Sequence, residues 1–406
     1  MKTNAPADGS PGSGWRRHLH VLLALNLCNL IQSTGGKFVV VLVALHQQAS
    51  PVTIGLLVGL HSLVPALTSV AIGRVLDKKQ NLRMSLVGSS VVTTMGTLLP
   101  FFWEHIAALF VFSVVTGSAF NVFRIGGQQL TGLYGKEADR VNSYNLYSQC
   151  LAVGNLVSPL LGGFAIDHLG PQKAFLILSM LSLPAIAVLL SGRLSLPANQ
   201  SPMADDPSAK KKGLVDLVKS PKLRQVLVVC VVLMGVWDMF TFAWPIYGSH
   251  LQFSASEIGI VSSVFYSGTL VVRALVPKLL RHFTQWQLLL LAMLISSGML
   301  LAFAFISQFA MLVGLALLLG LVLGLIQPMT MSLVFQEAPS DRKGEVLGLR
   351  MTMVFTLHIV IPLLSGLLVA SALGIASIWY AATAVMLIGA WYARDQWRYK
   401  VKVKAK

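Results

Sequence analysis

One acidic residue stands where an acid is expensive. Asp238 sits near the middle of residues 226–249, VLVVCVVLMGVWDMFTFAWPIYGS, a run of mostly apolar side chains. About 20 apolar residues at 1.5 Å rise per residue cross a hydrocarbon core ~30 Å thick. An ionised Asp at that depth costs at least ~2.5–3.5 kcal/mol, so it needs a partner, a water-filled cavity or a bound proton. Every other acidic residue falls in a loop, a tail or an end turn of an apolar run. A carboxyl whose access alternates can load and release a proton, which makes Asp238 the proton-coupling candidate. The competing reading is a permanent ion pair, with Lys37 as its partner.

Other polar residues inside the apolar runs supply candidates for a cavity. Asn26, Asn29, Ser33 and Lys37 follow one another at steps of three, four and four, which places them on one helical face beside Gln32. Asn121, Arg124 and Gln128 repeat that pattern further on. A polar stripe in a membrane helix faces a cavity or a partner helix rather than lipid, and both remain open here. His61 and His358 read first as satisfied polar groups and second as proton relays. Trp237, Phe242, Trp244 and Tyr266 can stack an aromatic or amphipathic ligand. The substrate-cavity candidates are Asn26, Asn29, Gln32, Lys37, Asn121, Arg124, Trp237, Tyr266, Gln327 and His358.

The charge inventory inside the runs is lopsided. Lys37, Arg124, Arg273 and Arg350 face Asp238 alone. A cavity lined by them favours anionic or zwitterionic solutes, whereas snorkelling of the three arginines toward headgroups is the alternative.

These residues need a membrane scaffold to position them. The chain has 406 residues, 55% of them hydrophobic and only 11% charged, outside the range of soluble domains. Its net charge of +16 does not signify nucleic acid, because the basic residues punctuate apolar runs instead of lining one patch. Cys28, Cys150 and Cys230 lie within apolar runs and lack metal or disulfide spacing. No HExxH, paired carboxylates or nucleophile–base arrangement occurs within the runs. The expectation is therefore no enzyme, no cofactor and no metal. Residues 1–14 form a Gly/Pro/Ser-rich stretch with no cleavable signal peptide evident.

Twelve apolar runs are expected, near 19–45, 52–75, 84–103, 106–131, 141–166, 173–193, 224–249, 256–277, 286–306, 308–333, 345–370 and 372–393. An even number puts both termini on one side. Placing that side in the cytoplasm collects 26 of the 31 Lys and Arg residues in the tails and inner loops. Lys173 alone falls outside, so the positive-inside rule predicts cytoplasmic termini.

Residues 194–223, Pro/Ser-rich and then basic, read as a linker between an N-terminal bundle (19–193) and a C-terminal bundle (224–393). A cytoplasmic tail precedes them at 1–18, and a basic one follows at 394–406.

The two bundles repeat. Ile54-Gly55 returns as Ile258-Gly259, a shift of 204, and Pro159-Leu160-Leu161 returns as Pro362-Leu363-Leu364, a shift of 203. Gly117 maps onto Gly320 and Arg124 onto Gln327 at the same shift. A parallel six-helix repeat places a substrate site between the halves near the midplane. Thr34 and Asp238 are then equivalent positions.

On these features the chain resembles the major facilitator superfamily, and within it the twelve-helix drug–proton antiporter branch. GRVLDKK, from Gly73 through Asp77 and Lys78, looks like the superfamily's inner-loop motif, although Gln80 and Asn81 replace its later Gly-Arg. The resemblance implies that Asp77 latches the halves on the cytoplasmic side, where a helix N-terminus would favour its charge. Gly154, Pro159, Gly162 and Gly163 fit the antiporter motif of the fifth helix, while Asn145 and Ser158 depart from it. The fourth helix has Ser113 where the branch usually carries an Arg. What the resemblance implies is an all-α membrane protein of two pseudo-symmetric six-helix bundles. Its expected action is alternating-access, proton-coupled efflux of a small organic or drug-like solute across the inner membrane. Proton-coupled import of a small organic anion is the alternative. The expected partners are the solute, protons and the bilayer, and the expected functional unit is a monomer.

Overall fold

A polar backbone can cross hydrocarbon only where its N–H and C=O groups are satisfied within the segment, so apolar runs of this length become helices. In this computed structural model, residues 15–77, 82–134, 140–196, 219–339, 343–371 and 374–398 are described. Twelve helices among them are long and apolar enough to span a membrane. In chain order these are α1 (Trp15–His46), α2 (Pro51–Ser69), α3 (Arg83–Phe102), α4 (Ile106–Leu133), α5 (Asn142–Leu169) and α6 (Pro171–Leu190). The second set comprises α7 (Pro221–His250), α8 (Ala255–Leu279), α9 (Gln285–Phe303), α10 (Phe309–Val334), α11 (Leu349–Val369) and α12 (Ala376–Gln396). The boundaries lie within a few residues of those expected. Two spans are interrupted: α6 divides into Pro171–Met180 and Leu183–Leu190, and α10 breaks after Leu323 before resuming at Ile326.

Successive spans reverse direction. Trp15 and the start of α7 therefore share one end of the molecule, here called the near end. The turns joining α1 to α2 and α7 to α8 share the far end.

The repeat expected from the sequence is visible in the packing. A side chain at Gly117 of α4 would run into the backbone carbonyl of His61 on α2, and one at Gly320 of α10 into that of Phe265 on α8. His61 and Phe265 are themselves 204 positions apart, so the two bundles are built on the same close crossing. Only glycine lets backbones approach this far, and such approach is what holds helices together where lipid supplies no hydrophobic drive.

The bundles meet through α2 against α11 and α5 against α8. Gly55 abuts the carbonyl of Pro362, and Gly366 that of Pro51. Across the other seam Gly259 abuts the carbonyl of Pro159, and Gly163 that of Ala255. All four glycines lie in the far-end halves of their helices. α1 and α7 also touch, bringing Lys37 and Asp238 to the central axis.

Candidate functional site

A cavity of about 100 Å³ lies between the bundles. It is walled by α1, α2 and α5 from one half and α7, α8 and α11 from the other. Its residues come in repeat pairs: Thr34 with Asp238, Lys37 with Thr241, Phe38 with Phe242, Val41 with Pro245, Val58 with Ser262, Asn155 with His358, and Pro159 with Pro362. Phe240, Phe265 and Tyr266 complete the wall. The pseudo-two-fold axis thus passes through the cavity, as the placement of a site between parallel repeats requires.

Asp238 is 8% exposed, and its Oδ2 lies 2.7 Å from Nδ1 of His358. The contact is an ion-pair approach whose angles fall outside hydrogen-bond geometry. Both residues belong to the C-terminal bundle, on α7 and α11. Asp238 therefore makes its contact pair with a histidine of its own half, while its charge also reaches Lys37, and His358 is a partner to the buried acid rather than an isolated polar group. The images of Asp238 and His358 in the N-terminal bundle, Thr34 and Asn155, cannot titrate. The contact pair therefore has no copy in the N-terminal bundle.

Lys37 enters the cavity from α1 and has no ion-pair partner among the described residues. Aromatic rings form the adjacent wall: Phe265 lies 4.6 Å from Phe240, 4.9 Å from Trp237 and 5.4 Å from Tyr266, centroid to centroid. Trp237 stands behind this wall, in the layer that fixes the orientation of Phe265 and Tyr266.

Of the cavity candidates, then, Lys37, Tyr266 and His358 reach the lining with Asp238, and so does Pro159 of the α5 motif. The polar stripe of α1 goes elsewhere. Asn26 and Asn29 donate to the carbonyls of Leu22 and Leu25 in their own helix, and Gln32 donates to Thr97 Oγ1 on α3 at 3.0 Å. Asn26 also packs against Gly127 of α4. All three are buried inside the N-terminal bundle. Asn121 donates to Ser69 Oγ, and Arg124 donates to Asn121 Oδ1 while its guanidinium lies 5.7 Å from the Phe355 ring. Gln327 accepts from Arg273 at 3.2 Å, away from the cavity. His61 stacks on Phe112 with ring centroids 6.2 Å apart, and its Nε2 lies 3.4 Å from Ser33 Oγ.

The α5 motif is placed where its glycines matter. Gly154 receives the Leu30 side chain of α1, Gly162 packs near Phe38 and Val39, and Gly163 meets α8. Among the described residues, nothing lies within 4 Å of a Cβ at Gly73. Lys78 and the side chain of Asp77 lie outside the described residues.

Thr34, Asn155, Thr241 and Ser262 line the cavity without having been singled out as candidates. Short neutral polar residues raise no flag in an apolar run. The repeat itself was the available signal, because subtracting 203 from His358 lands on Asn155.

Comparison with known proteins agrees with this architecture. The family model described as "Major Facilitator Superfamily" matches residues 22–361. No curated protein sequence matches. Among solved structures, a bacterial homologue of the human lysosomal transporter Spinster, inward-facing and unoccupied, superposes with a TM-score of 0.77 at 14% identity. That similarity covers 98% of this chain and all of the other. A POT family transporter in complex with a thioalcohol-conjugated peptide gives 0.76 at 11% identity, covering 95% and 98% of the two chains. A nucleoside transporter gives 0.75 at 12%, covering 94% and 100%. With twelve spans, a repeated pair of bundles and a cavity on the repeat axis, this chain belongs to the major facilitator superfamily and is a multi-pass membrane transporter.

Proposed function

We propose that this transporter couples solute export to proton entry by alternating access. The observation that carries the reading is the Asp238–His358 contact at 2.7 Å in the cavity between the bundles. An ionised carboxylate at that depth is tolerable beside a protonated imidazole. A proton delivered to Asp238 dissolves the pair, and its release restores it. The two protonation states bind the surrounding helices differently, and that difference is what allows a proton gradient to bias the two access states.

The positive-inside count supports a cytoplasmic near end, and in this reading the membrane is the inner membrane. The seams of α2–α11 and α5–α8 then close the outer face in this structure. Export is the leading direction because the α5 stretch that resembles the antiporter motif lies in one of those seams. Uptake of an organic anion is the second reading, favoured by Lys37, whose ammonium lines the cavity without a contact ion pair among the described residues.

Counterflow in proteoliposomes with an imposed pH gradient tests the coupling. The substrate for the assay comes first from a growth screen of a deletion strain against toxic compounds and carbon sources. Asp238→Asn should abolish gradient-driven accumulation and leave solute exchange within about threefold of wild type. Unchanged gradient-driven accumulation in that variant removes the proton role, and the direction of pH-driven flux in the wild type decides between export and uptake.

A further inference from the structure

The cavity holds two polar groups that the Asp238–His358 pair does not use, and they sit together on the opposite half. Lys37 of α1 and Asn155 of α5 both line it. Neither has a hydrogen-bond or ion-pair partner among the described residues. Thr34, one turn before Lys37, donates its hydroxyl to Leu30 O, so its donor is spent. The repeat equivalent of Lys37 is the neutral Thr241, and that of Asn155 is His358, already engaged with Asp238. Asp238, the acid among the described residues of the cavity wall, makes its contact ion pair within the C-terminal bundle, and its charge reaches Lys37 only through space. An ammonium and an amide N–H group on the N-terminal bundle remain as donors without acceptors.

The other three cations of the apolar runs do not compete for this role. Arg124 is held by Asn121 and lies over Phe355, and Arg273 donates to Gln327. Arg350 is 3% exposed and is not part of the cavity wall. Of the four cations, Lys37 is therefore the one that reaches the cavity. Asp238, the acid whose charge reaches Lys37, is in contact with His358, so a ligand that brings a second negative charge offsets part of the cost of holding an ammonium at membrane depth. Beside it stands the wall of Phe240, Phe265 and Tyr266, which suits an apolar or aromatic body.

We infer that Lys37 and Asn155 form an anion subsite, and that the transported solute is a small organic monoanion, a carboxylate with an apolar or aromatic body. This inference rests on the cavity being the transport site. It assigns the solute's charge to the N-terminal bundle and the proton to the C-terminal one, so that loading either half changes the electrostatic balance across the seam between them.

The test measures binding to the purified full-length protein by ligand-induced thermal stabilisation, with benzoate and hexanoate against their neutral isosteres benzamide and hexanamide. At least one acid should stabilise the wild type at a concentration tenfold or more below its amide. Lys37→Met should reduce that preference to about twofold or less, Asn155→Leu should weaken it partly, and Lys37→Arg should keep it. Each variant is compared with its own unliganded melting temperature, so a folding defect is seen separately. Amides that bind as well as the acids, acids that do not bind, or a preference that survives in Lys37→Met each overturn the assignment. If Lys37→Met leaves the preference intact but shifts the pH dependence of transport, Lys37 is a counter-ion of Asp238 instead, and the subsite is again refuted. Failure of the coupling reading shows elsewhere, as unchanged gradient-driven accumulation in Asp238→Asn with the charge preference retained.

Discussion

The two seams between the bundles are copies of one another, but a carboxylate reaches across only one of them. Gly55 against Pro362 corresponds to Gly259 against Pro159, and Gly366 against Pro51 corresponds to Gly163 against Ala255. Each helix that starts at a seam has its own serine cap: Ser50 Oγ accepts from the Thr53 N–H, and Ser254 Oγ from the Glu257 N–H. At the α5–α8 seam, however, Asp167 reaches across from the N-terminal bundle. Its two carboxylate oxygens accept from the backbone N–H groups of Ala255, at 3.0 Å, and Ser256, at 2.7 Å. The equivalent of Asp167 at the other seam is Ala370, which has no side-chain acceptor. A carboxylate at a helix N-terminus meets both unsatisfied donors and the positive end of the dipole. One seam is therefore latched and fitted, while the other is fitted only. Any motion that opens the far end must break polar contacts on one side and merely separate backbones on the other.

Disturbing the fit that both seams share has the largest expected effect. A Cβ at Gly259 would collide with the Pro159 carbonyl, and one at Gly55 with that of Pro362, so backbone rather than a flexible side chain must yield. Overpacking of this kind costs ~1–3 kcal/mol. Because the cost falls only on the state with the far end closed, the ratio of access states changes by about 5- to 150-fold. Gly259→Val and Gly55→Val should each lower transport at least tenfold, with the protein still present in the membrane. Gly298→Val, at a position with nothing within 4 Å of its Cβ, should stay near wild type. Normal flux in either seam variant would mean that this closure is not part of the cycle.

Removing the latch acts on one seam alone and more weakly. Asp167 is exposed, so its charge-assisted bonds are screened, and about 1 kcal/mol is a reasonable scale for the loss. Asp167→Asn should raise the far-end-open population about fivefold on the α5–α8 side. Spin-label pairs at His168 and His250 report that seam, and pairs at Gln47 and Ser371 report its counterpart. Widening confined to the first pair is the expected result; equal widening of both, or none, would show that the bonds of Asp167 do not set the difference between the seams.

How much of this was legible in the sequence depends on which property each residue exposes. The twelve spans follow from hydropathy, because apolar length is the one thing a bilayer demands of a helix. The repeat was legible at Gly55, Gly117 and Pro159, where close backbone contact leaves glycine or proline as a trace. Polarity was a weaker guide. Asn26, Asn29 and Gln32 advertise shelter from lipid, yet whether shelter means water or a neighbouring helix depends on how α1 is rotated, and here it is turned toward α3 and α4. Lys37, on the same face, lies further along the helix where the cavity begins. The partner of Asp238 needed the crossing of α7 and α11, which nothing local encodes. Asp167 was passed over because an acid in a terminal turn looks ordinary until the helix start it caps is known.

The smallest effect tests whether the fitted seam could become a latched one. Ala370→Asp places a carboxylate where Asp167 stands in the other copy, facing the start of α2. The donors that Asp167 uses, Ala255 and Ser256, correspond to Pro51 and Val52. Proline has no backbone N–H, so the α2 start offers one of the two donors. Ala370→Asp alone should therefore narrow the Gln47–Ser371 distance distribution only slightly, with a population change of about twofold or less. Adding Pro51→Ala supplies the second donor and should bring the seam close to the behaviour of its latched copy. If Ala370→Asp alone tightens the seam as much as the double variant does, the paired backbone donors are not what makes α5–α8 different, and the dipole of the helix start acts without them.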